Sequence, residues 1–243
     1  MPKIGPFPKP DLKLVERNPV AVSNRRRMTM KPHNLVILGF GGHARSIADV
    51  ALDRDISDLM FVDATARAGE SFFGFPVLTE MPNPLPQGWE VFPAAGDNAA
   101  RQRQIERAAA QSLPMGCLVS QHAYVGKGAT IQPGSFIAHH AHLGPMAAVG
   151  RGTIINTAAV VDHDSHVGDF THISVNTTIA GRCKIGDLVF VGAGATVIDG
   201  IRIVDRVTIG AGSTVVDDIV EPGTYVGSPA RLVKSYHRHA PSP

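Results

Sequence analysis

The sequence predicts an α/β domain followed by an all-β domain, the latter a parallel β-helix. An aliphatic residue recurs at every sixth position from Val119 to Val215, seventeen times without a break. Before this repeat, short apolar runs alternate with amphipathic, alanine-rich segments. The predicted segments are an N-terminal extension at residues 1–32, the α/β domain at 33–118, the β-helix at 119–220 and a C-terminal tail at 221–243.

The six-residue period is typical of a parallel β-helix, in which each repeat forms one side of a triangular coil. Glycine often follows the aliphatic residue, as at Gly126, Gly144 and Gly168, and a small residue stands four positions after most of the aliphatics. We expect the aliphatics to fill a narrow shaft and the glycines to let the backbone turn at the corners. Seventeen repeats at three per coil predict between five and six coils. One repeat cannot bury its own apolar face, so the array is stable only as a stack.

The segment before the repeats is predicted to form a small Rossmann-like parallel sheet with helices on both faces. Leu35–Leu38 is a compact apolar strand, and a second strand, Leu59–Val62, ends at Asp63. The other predicted elements are a helix with Ala44, Ile47, Ala48 and Ala51 on one face, a strand at Val91–Ala95, a helix at Asn98–Gln111 and a last strand at Cys117–Val119.

The turn after the first strand reads Gly39-Phe40-Gly41-Gly42-His43-Ala44, which fits the dinucleotide-binding pattern. Its glycines would let the backbone approach a pyrophosphate, and the following helix N-terminus would supply N–H donors. Asp63 lies about 20 residues on, where an acidic residue meets a ribose hydroxyl. A tight turn that needs glycine explains the same residues. Because only about 85 residues of this domain precede the repeats, one nucleotide half-site is the preferred interpretation. Asp97 equally fits a helix N-cap.

The first 31 residues hold eight basic and two acidic residues together with five prolines. This composition predicts a flexible basic extension, and a solvated tail is favoured over nucleic-acid or membrane binding at Arg25–Arg27. No apolar run approaches the ~18 residues of a membrane span, and no signal-peptide pattern is visible. The two cysteines, Cys117 and Cys183, are interpreted as structural and indicate a reducing compartment. We therefore expect a cytoplasmic protein without nucleic-acid partners or stable membrane insertion.

Seven of the eleven histidines lie between residues 122 and 172. They are His122, His139, His140, His142, His163, His166 and His172. Because the aliphatics occupy the core positions, these histidines must lie on corners or outer faces, where most are expected to be solvated. His163 differs because Asp162 and Asp164 flank it. A carboxylate can hold one ring nitrogen and raise the basicity of the other, as a general base requires.

Three motifs give the chain a family resemblance. They are Gly41-Gly42-His43, Val161-Asp162-His163-Asp164 and Phe170-Thr171-His172-Ile173-Ser174. With them the chain resembles the bacterial nucleotide-sugar acetyltransferases of the bacillosamine and sialic acid O-acetyltransferase group over residues 34–234. The ending Tyr225–Arg231 resembles the exit motif of hexapeptide acyltransferases. The resemblance implies homotrimers with left-handed coils, an exception to the right-handed crossover rule. It also implies acetyl-CoA as co-substrate, no metal, and active sites between subunits.

The resemblance assigns roles to individual residues. His163 would be the general base, Asp164 would orient it, and Asn156 would lie close to the reacting group. The expected acetyl-CoA contacts are His172, Ala180, Gly181, Gly210 and Ala211. The expected nucleotide-sugar contacts are Gly41, Gly42, His43, Asp63, Ala64, Gly96, Asp97 and Asn98. Two positions depart from the pattern, because many relatives have Glu in place of Asp164 and Asn in place of Asp97.

The function implied is acetyl transfer from acetyl-CoA to the amino group of a nucleotide-linked amino sugar, for bacterial surface polysaccharide or glycan synthesis. The amine would attack the thioester directly, without an acyl-enzyme, and a backbone N–H near Gly181 would face the oxyanion.

Three alternatives stay open. One is O-acetylation of a sugar hydroxyl. The second is a zinc enzyme of the γ-carbonic anhydrase type, with ligands among His139, His140, His142 and His163. The third is a non-catalytic scaffold. The α/β domain counts against the zinc enzyme, and the histidine–acid cluster counts against the scaffold.

Overall fold

The computed structural model describes residues 20–21 and 34–236. The first strand, β1 (Val20–Ala21), belongs to the N-terminal extension and pairs antiparallel with Thr130–Ile131. The prediction of a flexible basic extension concerns residues that otherwise lie outside the described ranges. Neither helix in the described part of the chain is long and apolar enough to cross a membrane.

An α/β unit comes first in the fully described range. Its elements are β2 (Asn34–Leu38), α1 (Gly42–Asp53), β3 (Leu59–Val62), β4 (Ser71–Phe72), β5 (Phe75–Leu78), β6 (Trp89–Pro93) and α2 (Asn98–Ala110). The sheet order is β4-β5-β3-β2-β6. Leu35 and Ile37 pack with the buried face of α1, whereas Val36 packs with Ala108 of α2. Alternate residues of one strand thus face different helices, which confirms the prediction of helices on both faces.

The sheet differs from the prediction in one respect, because it is mixed and not wholly parallel. β4 and β5 form an antiparallel hairpin that the sequence analysis missed. Its two turn residues, Phe73 and Gly74, have φ of 52° and 85°. Positive φ at both central residues is what a two-residue hairpin turn requires. The sequence did not predict this turn, because phenylalanine stands where a two-residue hairpin turn usually has Asn or Asp before the glycine.

The repeats form the strands of the β-helix. They are β7 (Leu118–Val119), β8 (Tyr124–Val125), β9 (Thr130–Ile131), β10 (Phe136–Ile137), β11 (His142–Leu143), β12 (Ala148–Val149), β13 (Ile154–Ile155), β14 (Val160–Val161), β15 (His166–Val167), β16 (His172–Ile173), β17 (Thr178–Ile179), β18 (Lys184–Ile185), β19 (Phe190–Val191), β20 (Thr196–Val197), β21 (Arg202–Ile203), β22 (Thr208–Ile209) and β23 (Thr214–Val215). Two further strands, β24 (Gly223–Val226) and β25 (Arg231–Ser235), follow them.

Every third strand stacks in parallel, so the coils form a left-handed triangular prism with three faces. We call the sheet β7-β10-β13-β16-β19-β22 face 1, the sheet β8-β11-β14-β17-β20-β23 face 2, and the sheet β9-β12-β15-β18-β21 face 3. Equivalent residues in successive coils are 18 positions apart, as in the pairing of His172 with Phe190. Because the chain runs from face 1 to face 2 to face 3, the edge between faces 2 and 3 lies opposite face 1.

The aliphatic shaft is confirmed. Every sixth residue from Val125 to Val215 is buried in one continuous cluster, and Val119 packs partly buried at its end. Each such side chain contributes about 1.5–3 kcal/mol when it is fully buried. The regular stacking of the coils therefore depends on this column of buried aliphatic side chains.

The corners differ from the prediction in how they use glycine. From Val125 to Ile209, the left-handed backbone lies three residues after each aliphatic and not directly after it. Non-glycine residues such as His140 and Asp164 occupy it with φ of 59° and 57°. The glycine that directly follows the aliphatic serves close stacking instead. A Cβ on Gly150 would lie 2.6 Å from the carbonyl carbon of Gly168 in the next coil.

The two domains meet at the first coils of face 1. Phe136 and Ile154 of face 1 belong to the same buried cluster as Ile37 and Ile47 of the α/β unit. Within the segment assigned to a C-terminal tail, β24 extends face 1 beside β22, and β25 returns antiparallel to it.

Candidate active site

The edge between faces 2 and 3 carries the histidine–acid pair singled out in the sequence. His163 follows β14, and its Nδ1 lies 2.9 Å from Oδ2 of Asp164. Asp164 occupies the left-handed corner position, which Asp tolerates better than most residues do. Asp162 accepts a hydrogen bond from the His163 backbone N–H at 2.7 Å. Both neighbouring aspartates therefore hold His163 in place. Asp162 bonds its backbone, and Asp164 bonds its ring.

The hydrogen bond from His163 to Asp164 raises the pKa of the imidazole, and the charge of Asp162 adds to this effect while burial opposes it. The side chain is 41% exposed, so substrate can reach it. The pair thus combines an accessible ring with increased basicity, as a general base requires.

Gly181 stands one coil above His163 at the same edge. A Cβ at Gly181 would lie 2.6 Å from Cε1 of His163 and closer still to Nε2. Only glycine leaves room for the imidazole at this position, a packing reason that the sequence pattern did not reveal. One coil higher, Asp199 forms an ion pair with Arg182.

A second group of predicted site residues gathers on face 1. His172, on β16, is buried, and its Nε2 lies 3.1 Å from Nδ2 of Asn156. Its Nδ1 lies 3.3 Å from the carbonyl oxygen of Gly96 in the α/β unit. The Asn156 amide therefore donates to Nε2, and Nδ1–H donates to Gly96. Burial and the nearby Arg101 lower the pKa of His172 to about 4, so the ring is neutral.

His43 lies in the first turn of α1, beside His172. The two ring centroids are 6.1 Å apart, and the ring of His43 meets that of Phe136 edge to face. Burial, and after it the charges of His172 and Arg101, lower the pKa of His43 to about 3. Its Nε2 is buried and has no hydrogen-bond partner among the described residues.

Arg101, on α2, connects the two domains, and the sequence analysis did not identify it. The side chain is 1% exposed, and burial lowers its pKa to about 9. Its acceptors are the carbonyl oxygens of Ala95, Gly96, Gly152, Phe170 and Thr171 and Oδ1 of Asn98. No sequence signal distinguishes it from the exposed Arg103 and Arg107 of the same helix.

Three predicted nucleotide-sugar contacts already have partners within the protein. Asp63 accepts hydrogen bonds from the Phe40 N–H at 3.0 Å and from Thr65, and the Thr65 bonds lower its pKa. Asp97 caps α2 by accepting from the Ala100 N–H at 2.7 Å, as the N-cap interpretation allowed. Asn98 donates to the Val189 carbonyl oxygen at 3.0 Å and so fixes the loop to the β-helix.

Other predicted nucleotide-sugar contacts lie at positions that a ligand can reach. No heavy atom lies within 4 Å of a Cβ built at Gly41 or Gly42, and no side chain caps the N-terminus of α1. Ala64 is exposed beside Asp63. The start of α1 is therefore open at Gly41 and Gly42, where an anionic group can approach the helix N-terminus.

A cleft of about 1270 Å³ begins at the Gly96 loop and runs along face 1. Its floor is formed by His172, Phe190 and Thr208, which stack in successive coils, and Tyr236 closes one end. Gly210 and Ala211 follow β22 at the edge between faces 1 and 2.

The structure separates the predicted residues into two half-sites. His163, Asp164, Ala180 and Gly181 lie at the edge between faces 2 and 3. Asn156, His172, Gly210, Ala211 and the α/β loops lie on face 1 or its edge with face 2. Since the first edge lies opposite face 1, one chain does not bring Asn156 next to His163.

The histidines considered for a carbonic-anhydrase-type zinc site are also dispersed. His139 and His140 stand at the edge between faces 1 and 2, whereas His142 stacks on Tyr124 on face 2. His163 stands at a different edge from all of these. Burial raises the pKa of Cys117 to about 11 and also raises that of Cys183, which agrees with a structural interpretation of both cysteines.

Comparisons with known proteins agree with this architecture. Residues 34–108 match the family model of the PglD N-terminal domain. The acetyltransferase domain of PglB from Neisseria gonorrhoeae is 31% identical, with a TM-score of 0.79 over 83% of this chain and 100% of that one. Its structure has also been solved in complex with acetyl coenzyme A. PerB from Caulobacter crescentus, solved with CoA and GDP-perosamine, is 29% identical, with a TM-score of 0.76 over 82% of this chain and 97% of that one. A search of curated proteins gave no match.

The prism and the relatives it matches thus define an acetyltransferase built from hexapeptide repeats. The α/β unit and the relatives narrow the class further. The chain belongs to the nucleotide-sugar N-acetyltransferases of the hexapeptide-repeat family.

We expect Arg101→Lys to destabilise the protein by about 3 kcal/mol or more, because lysine offers three donors and leaves several buried carbonyl groups unpaired. Arg103→Lys, in the same helix but exposed, is the matched control and should change the unfolding free energy by less than about 0.5 kcal/mol. Urea unfolding measures both. Equal stabilities of the two variants would contradict the assigned role of Arg101.

Proposed function

We propose that this protein transfers the acetyl group of acetyl-CoA to the amino group of a nucleotide-linked amino sugar for bacterial surface glycan synthesis, with His163 as general base. The observation that carries the proposal is the bond between His163 and Asp164 beneath Gly181. Asp164 engages Nδ1, and no group in the described part of the chain bonds Nε2. A free, basic nitrogen at an accessible edge suits proton abstraction from an amine.

The chemistry needs no covalent intermediate on the protein. The neutral amine attacks the thioester carbonyl, and Nε2 of His163 accepts the proton that the nitrogen loses. Asp164 stabilises the resulting imidazolium, which then protonates the departing CoA thiolate. The Gly181 N–H donates to no acceptor within residues 34–236 and is available to the oxyanion.

A site shared between two copies of the chain explains why the predicted residues form two half-sites. The edge with His163 of one subunit would lie against face 1 of its neighbour, which carries Asn156 and His172. Above Asp162, the same edge presents Ile198 and Val216, which are 40% and 36% exposed. Apolar side chains at this exposure favour burial against another subunit, as a homotrimer provides.

The cleft along face 1 is the proposed channel for acetyl-CoA. It runs from His172 past Phe190 and Thr208, so an extended pantetheine arm would lie parallel to the prism axis. The acetyl end would meet His172, and the neighbouring subunit would close the channel with Ala180 and Gly181. Gly210 and Ala211 would border the opposite end.

The open N-terminus of α1 is the proposed site for the nucleotide diphosphate. Gly41 and Gly42 leave its N–H donors free, and the helix dipole favours an anion there. His43 and the Gly96 loop lie beside His172, which supports a position for the sugar of a bound nucleotide sugar near the acetyl end of the cleft. GDP-perosamine, bound by PerB, is a substrate of the expected class.

We expect His163→Ala to lower kcat by about 10²–10⁴-fold, the usual contribution of a positioned acid–base group. His166→Ala is the matched control, because His166 is exposed on face 3, three residues along the chain. Release of CoA thiol from acetyl-CoA is measured with a panel of nucleotide-linked amino sugars that includes GDP-perosamine. Undiminished turnover in His163→Ala would refute the assignment. If the acetyl group were found only on hydroxyl groups of these sugars, the protein would be an O-acetyltransferase.

Asp164→Asn should shift the pH dependence of kcat. His163 acts as a base only when neutral, so kcat rises with pH through its pKa. Because the hydrogen bond to Asp164 raises this pKa above 6.5, the variant's rising limb should move to lower pH, with a lower plateau. Asp162→Asn removes a smaller contribution to the raised pKa of His163, so the rising limb of the kcat profile should move less. An unshifted limb in Asp164→Asn would show that the pair does not control the titration.

A further inference from the structure

A second cluster of titratable side chains lies where α1 meets the first two coils, and it shares no residue with the proposed active site. Asp49 and Asp53 stand one turn apart near the end of α1. His122 and His139 stand in successive coils at the edge between faces 1 and 2. One donor atom from each of Asp53, His122 and His139 lies within 4.8 Å of the other two.

The spacing of these atoms is close to that of a tetrahedral zinc site. His122 Nε2 lies 3.4 Å from Asp53 Oδ2, and His139 Nε2 lies 3.1 Å from Asp49 Oδ2. Ligands about 2.0–2.1 Å from a tetrahedral Zn²⁺ are about 3.3–3.4 Å apart. The two nitrogen–oxygen pairs therefore have about the separation of a tetrahedral edge.

The charge around Asp53 also favours a cation. Its Oδ2 is buried and accepts no hydrogen bond from the described residues, although His122 Nε2 lies 3.4 Å away. Asp53 is the last residue of α1, where the helix dipole is negative, and Asp49 adds a like charge four residues earlier. The last turn holds no basic residue that would offset them. A divalent cation would neutralise this arrangement.

The surrounding bonds hold the donor atoms as outer-shell partners do in metal sites. Ser120 Oγ lies 2.7 Å from His139 Nδ1 and can accept its proton once Nε2, which donates to Asp49 Oδ2, gives up its own proton to bind a metal ion. Gln121 donates from Nε2 to Oδ1 of Asp53 at 2.8 Å, which leaves Oδ2 for a ligand.

We propose that Asp53, His122 and His139 bind one Zn²⁺, with a solvent molecule in the remaining position. Nitrogen and oxygen donors of this kind suit zinc. The ion would join α1, whose N-terminus is the proposed nucleotide site, to the first two coils of the β-helix. Its role is to hold the two domains together, away from the acetyl-transfer chemistry.

The test uses the full-length, tag-free protein, stripped with a chelator and titrated with ZnCl₂ against a chromogenic zinc indicator. We expect one equivalent per chain and a rise in Tm on zinc binding. His122→Gln and His139→Gln should each weaken binding by more than about tenfold, and Asp53→Asn, nearly identical in shape, should do the same if a histidine variant fails to fold.

His140→Gln is the matched control, because its ring lies 6.0 Å from His122 and 6.5 Å from His139 but does not belong to the donor group. It should retain the full equivalent. Absence of a stoichiometric zinc ion in the wild type would overturn the proposal. So would an equivalent that survives both His122→Gln and Asp53→Asn, because the ion would then be bound elsewhere on the chain.

Discussion

The contact between stacked aliphatic side chains in the shaft of the prism is the interaction on which the rest of the molecule depends. Because one residue in six points inward without a break, successive coils cannot slip past each other without exposing the whole column. The 18-residue register places His163 directly below Gly181 and His172 directly below Phe190. Both half-sites therefore inherit their geometry from apolar packing that takes no part in the chemistry.

A triangular cross-section has a consequence for catalysis. The base and its carboxylate occupy one edge, whereas the buried His172 and Asn156 occupy the opposite face. Arg101 fixes this face to the α/β unit by donating to carbonyl groups of both domains. Each chain thus carries two separate groups of candidate site residues, one at the His163 edge and one on face 1. We infer that assembly brings the edge of one chain against face 1 of another and completes each site. The geometry favours direct transfer, because Cys183, whose Sγ lies 3.6 Å from the Gly181 carbonyl oxygen, is buried and has a raised pKa.

Much of the fold could be predicted from the sequence, because its signals are local and repeated. The six-residue period predicted the shaft, and the two acids beside His163 identified a histidine whose pKa the hydrogen bond to Asp164 raises. The misses depend on contacts between distant segments. Arg101 resembles any surface arginine until the carbonyl groups of the β-helix surround it. The corner glycines were misread because coil stacking, not backbone turning, requires them.

Mixing two inactive variants tests the shared site most directly. One subunit carries His163→Ala and the other His172→Gln, and the two are unfolded together and reassembled at equal amounts. If each site combines the edge of one copy with face 1 of the next, about a quarter of the sites in random trimers regain both groups. Acetyl transfer should return to roughly that fraction of wild type. Mixed assemblies as inactive as the parent variants would contradict the account, because both groups would then act from the same chain.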